Sequence, residues 1–289
     1  MDAMQQPAHP NYHSRIDQLL HWDRYDDALK EAEAWIREDP ENADAYGALA
    51  VVYQFIDADK ALYWSGEALK RDPELESAWR VRLIVAYERK DWPTFEKVIA
   101  EMLRMFPDYS YLYRMQGQYL LTKNRWQEAR EYLEQAISLN HSSINYAVYA
   151  YALALLNKDE ESLNAEQVAL HDDPEDDQAL LYLAWAAERR NDPRKAAEFM
   201  GSAIRLDPNN AQIREEYLEI LQKSYWFYRV MLFPNYLRKL KGWQILIIWI
   251  ACWILFKPLL VLFILLYIAS YWASKALVHV KVFGWTRRR

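Results

Sequence analysis

Arg80 and Arg114 stand 34 residues apart, with Tyr111 and Gln118 flanking Arg114 and Asn145 about one such interval further on. Two guanidinium groups beside a phenol and two amides can take a carboxylate and the peptide backbone behind it. The competing reading is charge balance, in which both arginines answer carboxylates such as Glu88. His9 and His13 are four apart, a metal-ligand spacing on a helix, but only His21 or Asp17 offers a third ligand nearby. They read as surface histidines, and no metal site is expected. Cys252 lies in an apolar run and reads as a small buried hydrophobe rather than a nucleophile.

Nothing else reads as catalytic. There are six Gly, no Gly-rich phosphate loop, no Gly-x-Ser-x-Gly elbow and no His-Glu-x-x-His. The many carboxylates follow helix surfaces and read as a solvated face. The expectation is no enzyme, no cofactor and no small-molecule substrate. A single Cys excludes an internal disulfide framework and a Cys-based zinc site.

The elements that must hold these residues show in a repeat. Pro40, Pro73, Pro107, His141, Pro174 and Pro208 follow one another at steps of 33, 34, 34, 33 and 34. Twelve residues before each marker stand Ala28, Ala61, Phe95, Ala129, Ser162 and Ala196. Five before stand Trp35, Ala68, Met102, Ala136, Ala169 and Ala203, and 27 or 28 before stand Tyr12, Tyr46, Trp79, Tyr113, Tyr146 and Leu180. Small residues let helices approach closely, large ones fill the gap between units, and Pro ends a helix because it has no N–H to donate.

This pattern resembles the tetratricopeptide repeat (TPR), most clearly in Trp126–Ile137, over about residues 9–210 and six units. Trp35, Phe95 and Ser162 stand where the family has small residues and His141 stands for Pro, so the third and fifth repeats are expected to pack less regularly. The resemblance implies an all-α fold, helix pairs stacked into a superhelix whose first helices line a groove. By the phase of the repeat, the inward positions of the groove include Asp44 and Val51; Ser77, Arg80, Ile84 and Tyr87; Tyr111, Arg114, Gln118 and Leu121; Asn145, Val148 and Ala152; and Gln178, Leu181, Trp185 and Glu188. Some family members clamp acidic chaperone tails with Lys and Asn; Gly47, Val51, Ser77 and Val81 occupy the matching places, so that clamp is not expected.

The charge is divided. Residues 1–224 carry 25 Lys and Arg against 41 Asp and Glu, a balance of −16; residues 225–289 carry 10 Lys and Arg and no acid. The cations of the tail flank apolar runs, which points to a membrane, and the acidic body argues against nucleic acid. Trp243–Phe256 and Leu259–Ser274 are uncharged, separated by Lys257-Pro258. Each segment approaches the roughly 20 residues needed to span a bilayer. A membrane hairpin turning at Lys257 and Pro258 is expected over a re-entrant hairpin or one tilted span, because a mid-membrane Lys costs about 2.5–3.5 kcal/mol. Cations outside both segments put the repeats and the C-terminus in the cytoplasm, and the N-terminal residues do not read as a signal peptide.

The sequence thus reads as a TPR superhelix over 1–210, a capping helix over 211–224, an aromatic juxtamembrane segment over 225–242, a hairpin over 243–278 and a basic tail over 279–289. The function expected is an adaptor anchored in the inner or plasma membrane, holding a protein or peptide partner in the groove. The alternative is a structural subunit of a larger membrane complex for envelope assembly or secretion. The partners expected are protein and membrane lipid.

Overall fold

A computed structural model describes residues 11–208, 210–224 and 257–283. The expected juxtamembrane segment, the first half of the hairpin, Cys252 and His9 lie outside them. The helices are α1 (Tyr12–His21), α2 (Tyr25–Glu38), α3 (Ala43–Gln54), α4 (Ala58–Arg71), α5 (Glu76–Glu88), α6 (Trp92–Met105), α7 (Ser110–Thr122), α8 (Trp126–Leu139), α9 (Ser143–Leu155), α10 (Asp159–Asp172), α11 (Asp177–Arg189), α12 (Pro193–Leu206), α13 (Ala211–Ser224) and α14 (Lys257–Phe283). The first twelve are six pairs, and the described residues contain no strand. They form two compact units divided between Tyr119 and Leu120, inside α7.

Two local rules repeat along the chain. The second helix of each pair stops two residues before its marker, with Asp39, Asp72, Asp173 and Asp207 as C-caps before Pro. Proline disfavours helical backbone in the residue before it. α8 stops at the same phase before Asn140-His141, so proline is not required for the stop. The turn inside five of the six pairs holds one left-handed residue: Asp23, Lys90, Asn124, Asn157 and Asn191, with φ from 55° to 67°. There the next residue's N–H reaches back five residues to a helix carbonyl, as in Arg24 to Leu19 (2.9 Å) and Asp91 to Ala86 (2.9 Å). This closes the open end of the helix. Asp and Asn tolerate that conformation best after Gly; Lys90 is the exception.

In the first unit, α3 packs on α4 and α5, and α1 packs on α2 and α3. Ile16, Ala28, Ala32, Leu49 and Val52 fill one core cluster, and Ala50, Ala61, Val81 and Val85 the next. Gly47 lets α3 approach the α5 region: a Cβ there would stand 2.6 Å from Ser77 Oγ and 2.9 Å from Leu75 Cδ2. The large residues at small positions are accommodated. Phe95 is fully buried, with the rings of Tyr119, Tyr87 and Trp92 at 5.0, 5.6 and 6.3 Å. Trp35 stacks on Tyr12 at 5.6 Å.

In the second unit, α9 packs on α8, α10 and α11, and α12 packs on α11 and α13. Its core is rich in alanine, with Leu153, Leu183, Met200 and Ile213 among its large buried members. Ser162 sits in the fifth repeat's small position and donates to the Ala150 carbonyl at 2.7 Å. Around it lies a charged cluster that corrects the reading of the carboxylates as a solvated face. Glu166 is 1% exposed, ion-paired with Arg190 on one oxygen and Lys195 on the other, while Arg190 also donates to Ser162.

α13 occupies the expected capping span and buries Ile213, Ile220 and Leu221. α14 contains the one described helix long and apolar enough to cross a membrane, Val261–Lys281. Lys257 and Pro258 are its first two residues. Most of α14 is exposed, but Ser274 and Val278 are buried, and Gln222 on α13 donates to Ser274 Oγ at 2.8 Å.

Candidate partner-binding groove

The first helices of the pairs carry the expected groove residues, and the structure sorts those residues into three groups. In the first unit, Val51 and Gln54 on α3, Glu76, Arg80 and Ile84 on α5 and Tyr111 on α7 line one cavity of about 480 Å³. Leu20, Phe55 and Tyr109 complete the wall. The floor is apolar, and the polar groups come from Arg80, Glu76, Gln54 and Tyr111.

Those polar groups are under-used. The Tyr111 hydroxyl is buried without a hydrogen-bond partner among the described residues. Burial pushes its pKa up to about 12 against the opposing pull of Arg114 and Arg80. Its proton therefore stays on at neutral pH, and the group is a donor without an acceptor. Glu76 Oε1 lies 3.7 Å from Arg80 Nε, an ion pair beyond hydrogen-bond length, with the Arg80 side chain 43% exposed. Arg114 stands with its guanidinium carbon 5.5 Å from the Tyr111 ring centre and is not part of the cavity wall. The two arginines are thus unequal: Arg80 lines the cavity, and Arg114 contacts the ring that does.

Tyr87 and Gln118 are placed otherwise. Tyr87 turns toward its own pair, its ring edge-on to Trp92 at 5.8 Å, and burial raises its pKa. Gln118 is buried at 8% exposure.

In the second unit, Asn145 is a correction to the groove reading. It is 1% exposed, and its amide donates to the Asn140 carbonyl at 2.9 Å. It satisfies the end of α8 and presents nothing to a partner. Gln178 is exposed and donates to its neighbour Asp177 at 3.0 Å. Trp185 does line a cavity, of about 400 Å³, with Tyr151, Leu155, Glu188 and Arg189. Its ring packs against Tyr182 at 4.9 Å and Tyr151 at 5.7 Å, and its indole N–H donates to Glu216 on α13. That donor is spent inside the protein.

The repeat phase did not find Phe55 and Tyr109, which are 54% and 48% exposed. Both lie just outside helices. Tyr109 stands two residues after its marker, where Asn42 and Asp176 cap helices with their side chains. An aromatic at a capping position was the available signal. His13, the described member of the histidine pair, is edge-on to Trp35 at 5.5 Å.

The family model described as Tetratricopeptide repeat matches residues 114–168 and 160–211. A comparison with curated proteins gave no match. Among solved structures, the chain is similar to one in the APC/C hetero-tetramer Cut9–Hcn1, with a TM-score of 0.60 and 14% identity. That match covers 73% of this chain but 42% of the other, so this chain spans less than half its relative's length. A tetratricopeptide repeat protein from Parabacteroides merdae matches with a TM-score of 0.58 and 15% identity, over 74% of this chain and 86% of that one. PilF of Pseudomonas aeruginosa matches with a TM-score of 0.54 and 21% identity, over 72% and 96%. At these identities the likeness concerns the fold, and the fold is that of stacked tetratricopeptide repeats.

Proposed function

We propose that this protein is a membrane-anchored adaptor whose repeats hold a protein or peptide partner on the first-helix face. One observation carries the reading: the cavity of the first unit sets the exposed rings of Phe55 and Tyr109 beside the 43% exposed side chain of Arg80. Interfaces are centred on aromatic and Arg anchors in desolvated pockets. The fold supports the same reading, because stacked helix pairs offer extended binding faces rather than catalytic ones.

The anchor reading rests on α14. The uncharged run from Pro258 to Ser274 in α14 measures about 26 Å at 1.5 Å per residue, close to the roughly 30 Å of a hydrocarbon core, and Ser274 stands at one end of it. α13 meets it at Ser274, about 10 Å along the axis from Lys281 and about twice as far from Val261. Exposed Tyr271 and Trp272 and the cation of Lys275 are at the same level, the residue types of a headgroup layer. This supports a topology in which the repeats and the C-terminal end of α14 share one side, as a hairpin turning near Lys257 and Pro258 requires. The positive-inside rule makes that side the cytoplasm.

The test is photo-cross-linking in native membranes, with a photoreactive residue at position 51 in the cavity or at Tyr63 on α4, which is 60% exposed. A protein adduct at 51 and none at 63 is expected, with the chain retained in the carbonate-washed pellet. Equal adducts at both positions would sink the groove reading, and release by carbonate would sink the anchor. The exposed apolar length of α14 favours one second reading, a structural subunit of a larger membrane complex. In that case deleting α14 abolishes association with the partner, whereas an adaptor without it still binds.

A further inference from the structure

The repeats of the second unit have two edges, one made by the turns inside pairs and one by the turns between pairs. α14 meets the first kind. α11 and α13 run in the same direction, because α12 returns between them and packs on both. Trp185 of α11 is joined to Glu216 of α13. Arg189 stands four residues beyond Trp185, about 6 Å, and Gln222 six beyond Glu216, about 9 Å. The turn between α11 and α12 is therefore level with Gln222, which donates to Ser274 of α14. Ser274 ends the uncharged run, and Lys275 follows it. Residues 261–269 are exposed throughout, whereas Ser274 and Val278 are buried. The apolar length thus projects beyond the repeats, and a bilayer around it has its surface at the α11–α12 turn.

The charges at this turn are Glu188, Arg189, Arg190, Asp192, Arg194 and Lys195. Arg190 and Lys195 are bound to the buried Glu166, and Asp192 caps α12 by accepting from the Lys195 backbone N–H at 3.1 Å. Glu188 is partly buried in the wall of the second-unit cavity, with Tyr151 and Trp185. Arg189 and Arg194 are exposed and have no carboxylate partner among the described residues. The Arg189 guanidinium carbon lies 5.9 Å from the ring centre of Trp126, the first residue of α8, which holds it at this edge. The α9–α10 turn differs: Lys158 pairs with Glu161 at 2.8 Å, and Asp159 and Glu160 are exposed beside it. The positive surface is thus confined to the turn beside α14. The opposite edge carries Asp172, Asp173, Glu175, Asp176 and Asp177 between α10 and α11. An anionic surface attracts the first edge and repels the second.

Resting on the anchor reading, we infer that the α11–α12 turn docks on the bilayer, with Arg189 and Arg194 on the headgroups of anionic lipids. The cytoplasmic leaflet supplies such lipids, and its field acts on each Lys or Arg within a Debye length of the surface. Lys275, exposed on α14 at the same level, adds to the site. The acidic edge then faces away from the membrane, and the last helix pair is held against its anchor rather than swinging on it.

The experiment uses the full chain in lipid nanodiscs, with Cys252→Ser and one new label site, Pro193→Cys at the turn or Glu175→Cys on the acidic edge, carrying bimane. Phosphatidylcholine with a nitroxide on its headgroup is the quencher, alone or mixed with phosphatidylserine. The label at 193 should be quenched in the mixed discs and little in the neutral ones, and the label at 175 in neither. Arg189→Gln and Arg194→Gln should each lower the ratio of quenched to unquenched label at 193 about fivefold, the pull of an anionic surface on one cation. Arg189→Lys and Arg194→Lys should retain the quenching, and about 1 M salt, with a Debye length of about 3 Å, should abolish it. Circular dichroism checks the fold, and Arg194 has no hydrogen bond or ion pair among the described residues to lose. Equal quenching at 193 in neutral and mixed discs, or quenching that survives both changes to Gln, shows a turn held there by the tether alone and overturns the inference. Quenching at 175 equal to that at 193 overturns it too. Each of these results leaves the anchor standing, because the chain is in the disc. A chain that enters neither kind of disc removes the anchor and this inference with it.

Discussion

The two units treat their polar side chains in opposite ways. In the second, three donors beside the first helices are spent internally: Asn145 on the end of α8, Trp185 on Glu216, and Arg190 on Ser162 and Glu166. In the first, among the described residues, the Tyr111 hydroxyl is left without an acceptor and the carboxylate paired with Arg80 stands 3.7 Å away. A buried donor without a partner reduces stability, so the first unit carries a folding cost at Tyr111 that the second avoids at these three side chains. The difference also shows in core composition. The second unit keeps small residues at the small positions of the repeat, Ala129, Ala136, Ser162, Ala169, Ala196 and Ala203, and the family model matches from residue 114 onward. The first places Trp35 and Phe95 at those positions and packs them with aromatic neighbours.

The largest expected effect tests the internal satisfaction of the second unit. Glu166→Ala leaves Arg190, whose side chain is 5% exposed, with a buried charge and no carboxylate. Breaking a buried pair from one side typically costs about 3–5 kcal/mol. Urea unfolding of the full chain should show the loss in the transition of the second unit. A change below about 1 kcal/mol would mean that Arg190 escapes to water, and the contrast between units would weaken.

Phe95→Ala tests the first unit. It restores the small residue of the repeat pattern and should nevertheless destabilise by about 3–5 kcal/mol, because a fully buried ring leaves a cavity among Tyr87, Trp92 and Tyr119. A neutral result in thermal unfolding would show that the neighbouring rings collapse into the space. The smaller gain of alanine's helix propensity, a few tenths of a kcal/mol, does not reverse the sign.

These two sites show what the sequence could and could not reveal. The period of 34 was enough for the helix pairs and their stops, because helix packing needs small and large residues at fixed intervals, and the helical spacing of Ile213, Tyr217 and Leu221 was enough for α13. The same phase brought Val51, Arg80, Ile84 and Tyr111 to one wall. It failed where side-chain length decides direction. Asn145 folds back onto a carbonyl five residues earlier, and the Tyr87 ring leans on its own pair; phase fixes where a Cβ points and not where a long side chain ends. Glu166 and Arg190 are 24 residues apart on different elements, so no helical spacing joins them. Phe55 and Tyr109 stand outside the helices to which the phase applies.

Lys90→Asn should have a smaller, stabilising effect. Lys90 has a φ of 55° in a turn where the other left-handed residues are Asp or Asn. The left-handed conformation costs a residue with a long side chain roughly 1–2 kcal/mol, and Asn recovers part of it by local hydrogen bonding. A gain of about 0.5–1 kcal/mol is expected by thermal unfolding. A loss would show that the Lys90 side chain stabilises the turn in another way.

Tyr111→Phe should change folding least and bears most directly on the contrast. Removing a hydroxyl that has no partner gives up no hydrogen bond, so stability at pH 7 should be unchanged or slightly higher. A loss above about 1 kcal/mol would mean that the hydroxyl is satisfied in the free protein, and the two units would then be alike. The pH dependence sharpens the point. An exposed tyrosine ionises near 10, whereas burial holds Tyr111 protonated to about 12. A folded pKa raised above the unfolded one contributes stability that is whole below pH 10 and is lost as pH rises through 12, since the unfolded chain releases its proton first. Subtracting the variant's unfolding curve from the wild type's cancels the other tyrosines, including Tyr87, Tyr149 and Tyr151, which burial also raises. The difference should be flat up to pH 10 and then fall against the wild type. A difference that stays flat through pH 12 would show that Tyr111 is open to water, and the cavity would lose the donor that distinguishes the first unit from the second.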